Sequence, residues 1–333
     1  MMCCLYGILD YKQNLSLAQK NQLLRQLSIA CEQRGTDATG IAYNQNGHLE
    51  IHKKPLPAHH FRQKIPAGVN VVMGHTRLTT QGSAKRNDNN HPFYGCCENT
   101  AFALAHNGVL YNEKKLRRAF QLPITQIETD SYVAVQMIEK TGAFTLQAIQ
   151  KMAEEVEGSF CFTVLDEQNT LYLVKGNNPL VLYHFEKMGF YIYASTKEIL
   201  KKGLKKAGFL RYPHKEVQIK QGDILILQAD GTQRHASFDT QKLDYYDTFL
   251  YGCGVGYGYD WKVTPFKHST TKCTEYGVYL EILIDYAVNV GISEEEILYL
   301  YQSGFTEEEI ETLLYSPEIL REYVEELMEL GYV

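Results

Sequence analysis

Hydrophobic and polar residues alternate along the first part of the chain in the pattern of one helix followed by a β-hairpin. Across residues 14–34, leucine and isoleucine recur at near-helical spacing, and Gly35 follows as a stop signal. The next segment, TGIAYNQNGHLEIHKK, has two extended runs around Asn46-Gly47, which is a strong signal for a hairpin turn. The pattern therefore predicts a helix over 14–34 that packs on a flat sheet, with a hairpin after it.

The hairpin pattern returns three times between residues 160 and 238. Each copy has two β-rich runs around a short polar turn: FCFTVLDEQNTLYLVKG, LVLYHFEKMGFYIYAS and GDILILQADGTQRHASF. Three further segments have helical spacing: TDSYVAVQMIEK, TLQAIQKMAEEVE and KEILKKGLKKAG. Because helices come in groups between runs of hairpins, the chain is predicted to form an α+β layered domain of antiparallel sheet that ends near residue 235.

The segment that follows this domain is rich in glycine and tyrosine. Residues 236–273 contain YGCGVGYGYDW, whose glycines superficially resemble a phosphate-binding loop. Such a loop needs a following amphipathic helix and a Lys-Ser/Thr pair, and the sequence has neither at this point. We therefore interpret 236–273 as a linker or docking loop and not as a nucleotide site.

The last 60 residues are strongly acidic. Residues 274–333 hold fifteen Asp and Glu and a single basic residue, although the net charge of the whole chain is only −6. Two similar segments, GISEEEILYL and GFTEEEIETL, each place a hydroxyl residue three positions before a glutamate, which is the spacing of a helix capping box. The tail is predicted to be a small helical extension whose boxes pair Ser293 with Glu296 and Thr306 with Glu309.

The composition of the 333-residue chain argues against several classes of protein. An apolar content of 44% supports a sizeable core, and the eight cysteines include two adjacent pairs and no C-x-x-C spacing, which argues against a disulfide framework and a zinc site. No apolar run reaches the roughly 18 to 20 residues that span a bilayer. Basic residues are scattered without an aromatic pattern, so nucleic-acid binding is not expected. We expect a cytoplasmic protein without metal or cofactor.

The chain begins MMCC, and a cysteine at the start of a chain offers chemistry that an internal cysteine lacks. Its free α-amino group has a pKa of about 7.7 to 8.0, so the amine can be neutral at working pH and accept the proton of the thiol. Acyl transfer through Cys3 would also require an oxyanion hole and groups that hold the substrate. Those groups should lie on strand ends or loops elsewhere in the fold.

Six short motifs follow one another along residues 3–133. They are CCLYGI at 3–8, RGTDATGIA at 34–42, GHTRLTTQG at 74–82, NNHPF at 89–93, AHNGVLYN at 105–112 and ETDSYV at 128–133. In this order they resemble the motifs of the class II glutamine amidotransferases, the N-terminal-nucleophile (Ntn) glutaminases. Weaker likeness in EGSFCFTVLD and YIYASTKEIL extends the resemblance to about residue 235. The resemblance implies a four-layer αββα sandwich of two antiparallel sheets.

The resemblance also implies the catalytic roles. Cys3 would attack the side-chain amide of glutamine, form a γ-glutamyl thioester and release ammonia, after which water would free glutamate. The side-chain amide of Asn107 and the backbone N–H of Gly108 would hold the oxyanion, a contribution worth about 3 to 4 kcal/mol for one donor in comparable sites. No metal or cofactor takes part in this chemistry.

Four further residues would hold the substrate. The planar guanidinium of Arg77 would form a bidentate pair with the α-carboxylate of glutamine, and Asp130 would accept from the α-ammonium group. Thr80 and Gln81 occupy the positions at which the loop of the family contacts glutamine. These assignments follow from the motif positions alone.

Other interpretations of the same residues stay open at this point. Cys4 replaces the glycine that is usual in the family and is a rival nucleophile, but the spacing to the following glycine favours Cys3. Asn107-Gly108 is also a common hairpin-turn dipeptide, and a turn could present the same N–H. Asp130 could simply precede a helix. Three histidines within the motifs are predicted to make structural hydrogen bonds and not to bind metal: His75, His91 and His106.

Three functions are compatible with this sequence. The leading hypothesis is a glutamine amidotransferase domain over residues 3–235 that releases ammonia for an acceptor on another protein, since about 98 residues remain after it. A partner synthase could dock on the 236–273 loop or the acidic 274–333 extension, and a homo-oligomer is left open. The alternatives are a γ-glutamyl amide or peptide hydrolase and a catalytically silent glutamine sensor or scaffold.

The two residues in front of Cys3 bear on all three hypotheses. The α-amine of Cys3 is free only if Met1 and Met2 are both absent. Ordinary methionine removal requires a small second residue, which Cys3 is and Met2 is not. We therefore predict that translation effectively starts at Met2 or that an additional cleavage occurs.

Overall fold

The computed structural model describes residues 3–98, 100–243, 280, 283–284, 287–288, 291–314 and 317–330. The chain divides into two units, Met1–Asp247 and Thr248–Val333. In the first unit the strands run as β1 (Cys4–Leu9), β2 (Ala38–Gln45), β3 (His48–Lys54), β4 (Val71–Arg77), β5 (Phe93–Cys97), β6 (Thr100–Leu110), β7 (Gly158–Asp166), β8 (Leu171–Lys175), β9 (Val181–Phe185), β10 (Phe190–Ala194), β11 (Lys215–Val217), β12 (Asp223–Leu227) and β13 (Gln233–Ser237). The helices of this unit are α1 (Leu17–Cys31), α2 (Glu113–Ala119), α3 (Tyr132–Lys140), α4 (Leu146–Glu155) and α5 (Lys197–Ala207).

The strands form two antiparallel sheets. The first sheet has the order β11-β9-β10-β1-β4-β2-β3, and the second has the order β13-β12-β8-β7-β6-β5. Strand β1 lies at the centre of the first sheet, where Cys4 is opposite Thr76 of β4 and Tyr6 is opposite Ala194 of β10. Strand β6 lies between β5 and β7 in the second sheet.

Three apolar clusters order these elements into layers. The cluster between the sheets joins Leu5 and Met73 of the first sheet to Ala105 and Leu173 of the second. A second cluster packs α1 and α5 on the outer face of the first sheet, and a third packs α3 and α4 on the outer face of the second. The unit is therefore an αββα sandwich of the Ntn-hydrolase type, and the predicted fold class is confirmed.

Helix α1 is shorter than its predicted span of 14–34. Ser16 and Gln19 form a capping box at its beginning, and the carboxylate of Asp10 accepts hydrogen bonds from the backbone N–H groups of Asn14 and Leu15. These contacts hold residues 14–16 in a loop. The helix therefore begins at Leu17, although the apolar spacing begins before it.

All four predicted hairpins are present, because β2 pairs with β3, β7 with β8, β9 with β10, and β12 with β13. Helices α3, α4 and α5 lie in the three segments predicted to be helical. Helix α2 was not expected, and its short polar sequence EKKLRRA buries only Leu116. Strand β13 runs to Ser237 and the unit to Asp247, beyond the predicted boundary at residue 235.

The carboxy-terminal unit contains three helices among its described residues: α6 (Glu294–Gln302), α7 (Glu307–Leu314) and α8 (Pro317–Leu330). Both capping boxes are confirmed, since the backbone N–H groups of Glu296 and Glu309 donate to the hydroxyls of Ser293 and Thr306. Most of the predicted 236–273 loop lies outside the described residues. No helix in the described ranges is long and apolar enough to cross a bilayer.

Candidate active site

Cys3 immediately precedes β1 and is almost completely buried. Its Sγ lies 3.4 Å from both the backbone N and the backbone O of Leu78, the first residue after β4. Burial raises the pKa of the thiol to about 11, although the Leu78 backbone and the charge of Arg77 oppose this shift. The thiol is therefore protonated at neutral pH and requires a base before it can act as a nucleophile.

Asn107 lies in β6 of the opposite sheet and is fully buried. Arg34 connects it to Cys3: its Nε donates to the backbone O of Cys3 at 2.8 Å, and its Nη2 lies 3.5 Å from Oδ1 of Asn107. The Nδ2 group of Asn107 lies 3.5 Å from the Oγ of Ser195. Because Oδ1 faces a cation, Nδ2 is the donor end of the amide, and beside the N–H that faces Ser195 it has a second N–H that could serve an oxyanion.

Gly108 follows in the same strand with a φ of +145°. A Cβ at this position would lie 1.8 Å from the backbone O of Ser159 and 2.7 Å from Nδ2 of Asn178, so no other residue fits. The alternative interpretation of Asn107-Gly108 as a hairpin turn is wrong, because both residues pair with β7 in the interior of β6. The carbonyl of Asn107 accepts a hydrogen bond from Asn178 at 2.8 Å.

Arg77 ends β4 and is buried near Cys3. Its Nη1 donates to Oδ1 of Asn90 at 2.8 Å, and its Nη2 donates to the backbone carbonyls of Gln81 at 2.5 Å and Gly82 at 3.2 Å. Burial lowers the pKa of the guanidinium, while the nearby Cys3 and Asp130 groups raise it. The guanidinium is thus held in place by the loop that follows its own strand.

Asp130 is buried just before α3. Its Oδ2 accepts from the backbone N–H of Leu110 at 2.6 Å, and its Oδ1 accepts from the hydroxyl of Ser131 at 3.2 Å. Burial raises the pKa of the carboxyl, although these hydrogen bonds and the charge of Arg77 oppose the rise. The structure therefore brings a buried carboxyl and a buried guanidinium together near the Cys3 thiol.

The other two predicted substrate residues lie on the exposed part of the same site. Thr80 and Gln81 belong to the loop after β4, and both are exposed. The side chain of Gln81 donates to Oε1 of Glu113 at 3.3 Å, whereas its backbone carbonyl binds Arg77. The loop is anchored at its start by Asp37, whose carboxylate accepts from the backbone N–H of Thr79 at 2.7 Å.

Four residues that support the site had no role in the sequence interpretation: Arg34, Asn90, Asn178 and Ser195. Arg34, Asn90 and Ser195 lie inside segments that resemble the family. Their positions could therefore be found from the sequence, but their contacts could not. Asn178 had no such signal, since it lies in the turn between β8 and β9. Each of the four makes its contact with a residue distant in the sequence or held by a loop, which a local pattern does not reveal.

Two of the three motif histidines make the predicted structural hydrogen bonds. The Nε2 of His75 donates to the backbone O of His106 at 2.9 Å, which joins the two sheets, and Nδ1 of His106 lies 2.8 Å from the hydroxyl of Ser131. Burial lowers the pKa of both rings to about 3. The prediction is wrong for His91, whose buried ring nitrogens have no hydrogen-bond partner among the described residues and whose ring packs on Phe93. Within the described ranges, no group of three or more His, Cys, Asp or Glu side chains is placed to hold a metal ion.

The site can be compared with known proteins. A family described as the glutamine amidotransferase domain matches residues 75–202, which include Arg77, Asn107, Gly108 and Asp130. The glutamine–fructose-6-phosphate aminotransferase of Geobacillus kaustophilus is 29% identical over 238 residues, which cover 69% of this chain and 36% of that protein. The amino-terminal unit is a class II glutamine amidotransferase domain. This chain spans little more than a third of the length of such relatives.

Other relatives agree with this assignment of the amidotransferase domain. The corresponding enzyme of Halalkalibacterium halodurans is 31% identical over 159 residues, which cover 45% of this chain and 26% of that protein. The solved glutamine phosphoribosylpyrophosphate amidotransferase from B. subtilis, complexed with ADP and GMP, has a TM-score of 0.56 at 22% identity. It covers 72% of this chain and 50% of that chain, and the likeness shows that the two share a fold.

Proposed function

We propose that this protein hydrolyses the side-chain amide of glutamine through Cys3 and yields glutamate and ammonia. The observation that carries the proposal is the double contact of Arg34, which donates to the backbone of Cys3 and faces the amide oxygen of Asn107. One cation thereby links the backbone of the residue that carries the thiol to the side chain that carries the amide donor on the opposite sheet. Nucleophile and oxyanion donor in fixed register are what acyl transfer requires.

In the proposed reaction the Sγ of Cys3 attacks the amide carbon of glutamine. The negative charge that develops on oxygen is held by Nδ2 of Asn107 and the N–H of Gly108. The C–N bond then breaks, ammonia leaves with the proton taken from the thiol, and a γ-glutamyl thioester remains. Water attacks the thioester, releases glutamate and returns the proton to sulfur.

The buried charges suit the α-carbon end of glutamine. Arg77 would bind the α-carboxylate and Asp130 the α-ammonium group, because both are buried and both lie close enough to Cys3 to shift the pKa of its thiol. The loop that carries Thr80 and Gln81 would cover the substrate. Its backbone carbonyls already contact Arg77.

The proton acceptor would be the α-amine of Cys3 itself. A thiol with a pKa of about 11 is only slightly ionised at neutral pH, and an adjacent neutral amine supplies the base. This requires removal of both methionines in front of Cys3. A protein expressed from Met2, with that methionine removed, should be active, and one that retains Met1 and Met2 should not.

The ammonia would serve an acceptor bound to another protein. The relatives named above are, by their names, aminotransferases or amidotransferases of fructose-6-phosphate and phosphoribosylpyrophosphate, and this chain covers half or less of each. We therefore propose an amidotransferase domain that begins at residue 3 and runs past the predicted boundary at 235 to the end of β13, followed by a linker or docking loop up to residue 273 and an acidic extension over 274–333. A synthase partner would bind one of the last two segments.

Release of glutamate and ammonia from glutamine is the direct test. The purified protein should carry it out, the Cys3→Ala variant should not, and the Cys96→Ser variant should match the wild type because Cys96 is exposed. Full activity in the Cys3→Ala protein would refute the site. Much larger kcat/KM values for γ-glutamyl peptides would identify a peptide hydrolase, and glutamine binding without labelling of Cys3 by an electrophilic glutamine analogue would identify a sensor.

A further inference from the structure

A second pair of cysteines lies on the other side of strand β1. The Sγ atoms of Cys4 and Cys31 are 2.9 Å apart, and both side chains are fully buried. Cys4 begins β1 and Cys31 ends α1, so the contact joins the first sheet to the helix that covers it. Since successive side chains of a strand point to opposite faces, this contact is on the face of β1 away from the thiol of Cys3.

The two thiols of this pair differ in acidity. Burial raises the pKa of Cys4, but hydrogen bonds from Cys31 and Ser195 and the charge of Arg34 bring it below its ordinary value. Burial raises the pKa of Cys31 well above its ordinary value. Cys4 is therefore the group of the pair that reacts with an electrophilic oxidant, and Cys31 is the group that resolves the product.

We propose that Cys4 and Cys31 are a redox-sensitive site, which a peroxide converts to a disulfide that lowers the activity of the Cys3 site. The sulfur of Cys4 attacks one oxygen of hydrogen peroxide and forms a sulfenic acid, with release of one water. The sulfur of Cys31 then displaces the hydroxyl as a second water. Two electrons and two protons leave the thiols, and one S–S bond forms.

The geometry favours this product over others. A disulfide has an S–S distance of about 2.05 Å, so the two sulfurs need to approach by less than 1 Å from their present separation. Both are enclosed in an apolar cluster with Tyr6, Leu27 and Ala30. Because both sulfurs are buried, the proposal requires a small neutral oxidant such as hydrogen peroxide and excludes the much larger disulfide of glutathione.

The new bond would act on catalysis through Arg34. The backbone N–H of Arg34 donates to the carbonyl of Cys31 at 2.9 Å, and its side chain contacts Cys3 and Asn107. Drawing the end of α1 toward β1 would displace this side chain, and a misplacement of about 1 Å in a catalytic site costs on the order of 100-fold in rate. The effect on catalysis rests on the proposed function, but formation of the disulfide does not.

Mass spectrometry of the Cys3→Ala protein tests the chemistry without the nucleophile. After hydrogen peroxide, digestion should yield a peptide linked through Cys4 and Cys31 with the loss of two hydrogen atoms, and a dithiol reductant should reverse it. Glutathione disulfide should give no adduct on Cys4. Recovery of Cys4 and Cys31 as free thiols after peroxide, or as glutathione adducts, would overturn the proposal.

Activity measurements test the regulatory step. Peroxide should lower glutamine hydrolysis by the wild type by roughly tenfold or more, with recovery on reduction, whereas Cys31→Ser and Cys31→Ala should lose much less. The Cys97→Ser variant is a matched control, since Cys97 is also buried but donates to the carbonyl of Ile138. If peroxide lowers the activity of the Cys31 variants as much as that of the wild type, the loss arises at Cys3, and the proposed regulation by the Cys4–Cys31 disulfide is overturned. A reduced wild type without glutaminase activity would refute the proposed function, while a linked peptide would still establish the redox site.

Discussion

The two faces of the first sheet around β1 place adjacent cysteines in different settings. On the face toward the second sheet, Cys3 lies among buried polar groups, including Arg77 and Asp130. On the face toward α1, Cys4 lies in an apolar cluster with Cys31. The pKa of Cys3 is raised, and that of Cys4 is lowered. Acidity alone would therefore favour Cys4 as the nucleophile, whereas the proposed oxyanion donor Asn107, which Arg34 links to the backbone of Cys3, favours Cys3.

Matched serine variants at the two positions should give the largest difference between these faces. Cys3→Ser should abolish measurable glutamine hydrolysis, because a hydroxyl is a far weaker nucleophile than a thiol, and should leave unfolding by urea little changed. Cys4→Ser should retain hydrolysis but lose about 1 to 3 kcal/mol of unfolding free energy, since it buries a hydroxyl in an apolar cluster. The reverse pattern would assign the chemistry to Cys4.

The next effect concerns the amide of Asn107, which Arg34 links to Cys3 across the sheets. Asn107→Ala should reduce kcat by about 10² to 10³ with a smaller change in KM, because an oxyanion donor acts mainly in the transition state. Asn178→Ala removes only the hydrogen bond to the carbonyl of Asn107 and should cost about 1 to 3 kcal/mol of unfolding free energy, with a smaller loss of kcat. Equal losses of kcat in the two variants would argue against an oxyanion role for Asn107.

The sequence predicts the layers of the fold because their periodicities are local. The hairpin at Asn46-Gly47, with φ values of 53° and 79°, and the capping box of Ser293 with Glu296 involve residues one to three positions apart. Helix α2 was missed because its apolar signal is one buried residue, Leu116. A pattern therefore detects an element when its interactions are short in reach and it supplies several apolar positions.

The site follows the opposite rule, since its contacts join residues far apart in the sequence. Motif positions led to Arg77 and Asp130, which the fold brings near Cys3, and to Asn107, which Arg34 links to the backbone of Cys3. The supporting contact between Leu5 and Ser195 spans 190 positions, and no periodicity records it. The turn interpretation of Asn107-Gly108 failed for the same reason, because pairing with β7 overrides the local preference of this dipeptide.

His75 and His106, which are buried between the sheets, should make the stability of the protein sensitive to acid. Their pKa of about 3 in the folded protein lies below the unfolded value of about 6.5, so the stability they contribute is present above pH 6.5 and is lost as the pH falls toward 3. As the pH falls from 6.5 to 5, each of the two histidines should lower the unfolding free energy by about 2 kcal/mol. Urea unfolding across this range should show a smaller slope for His75→Gln than for the wild type.

A matched control for this slope is His48→Gln, since His48 is exposed in the β2–β3 hairpin. Its replacement should leave the pH dependence of the unfolding free energy unchanged. A His75→Gln protein with the slope of the wild type would mean that His75 becomes protonated in the folded state. In that case the His75 ring would donate its hydrogen bond to the backbone carbonyl of His106 in the protonated form as well as in the neutral form.

The smallest effect is expected where the site reaches the exposed surface. Gln81→Ala removes a side chain that makes an exposed hydrogen bond to Glu113 and leaves the backbone carbonyl that binds Arg77. We expect KM for glutamine to change by less than about tenfold, since such a bond contributes roughly 0.5 to 1.5 kcal/mol. Arg77→Lys should raise KM more, because lysine cannot form a bidentate pair with a carboxylate. Steady-state kinetics of both variants decides between two sources of substrate affinity. If the two KM values rise equally, the Gln81 side chain binds glutamine directly; if only Arg77→Lys raises KM, the loop acts through its main chain.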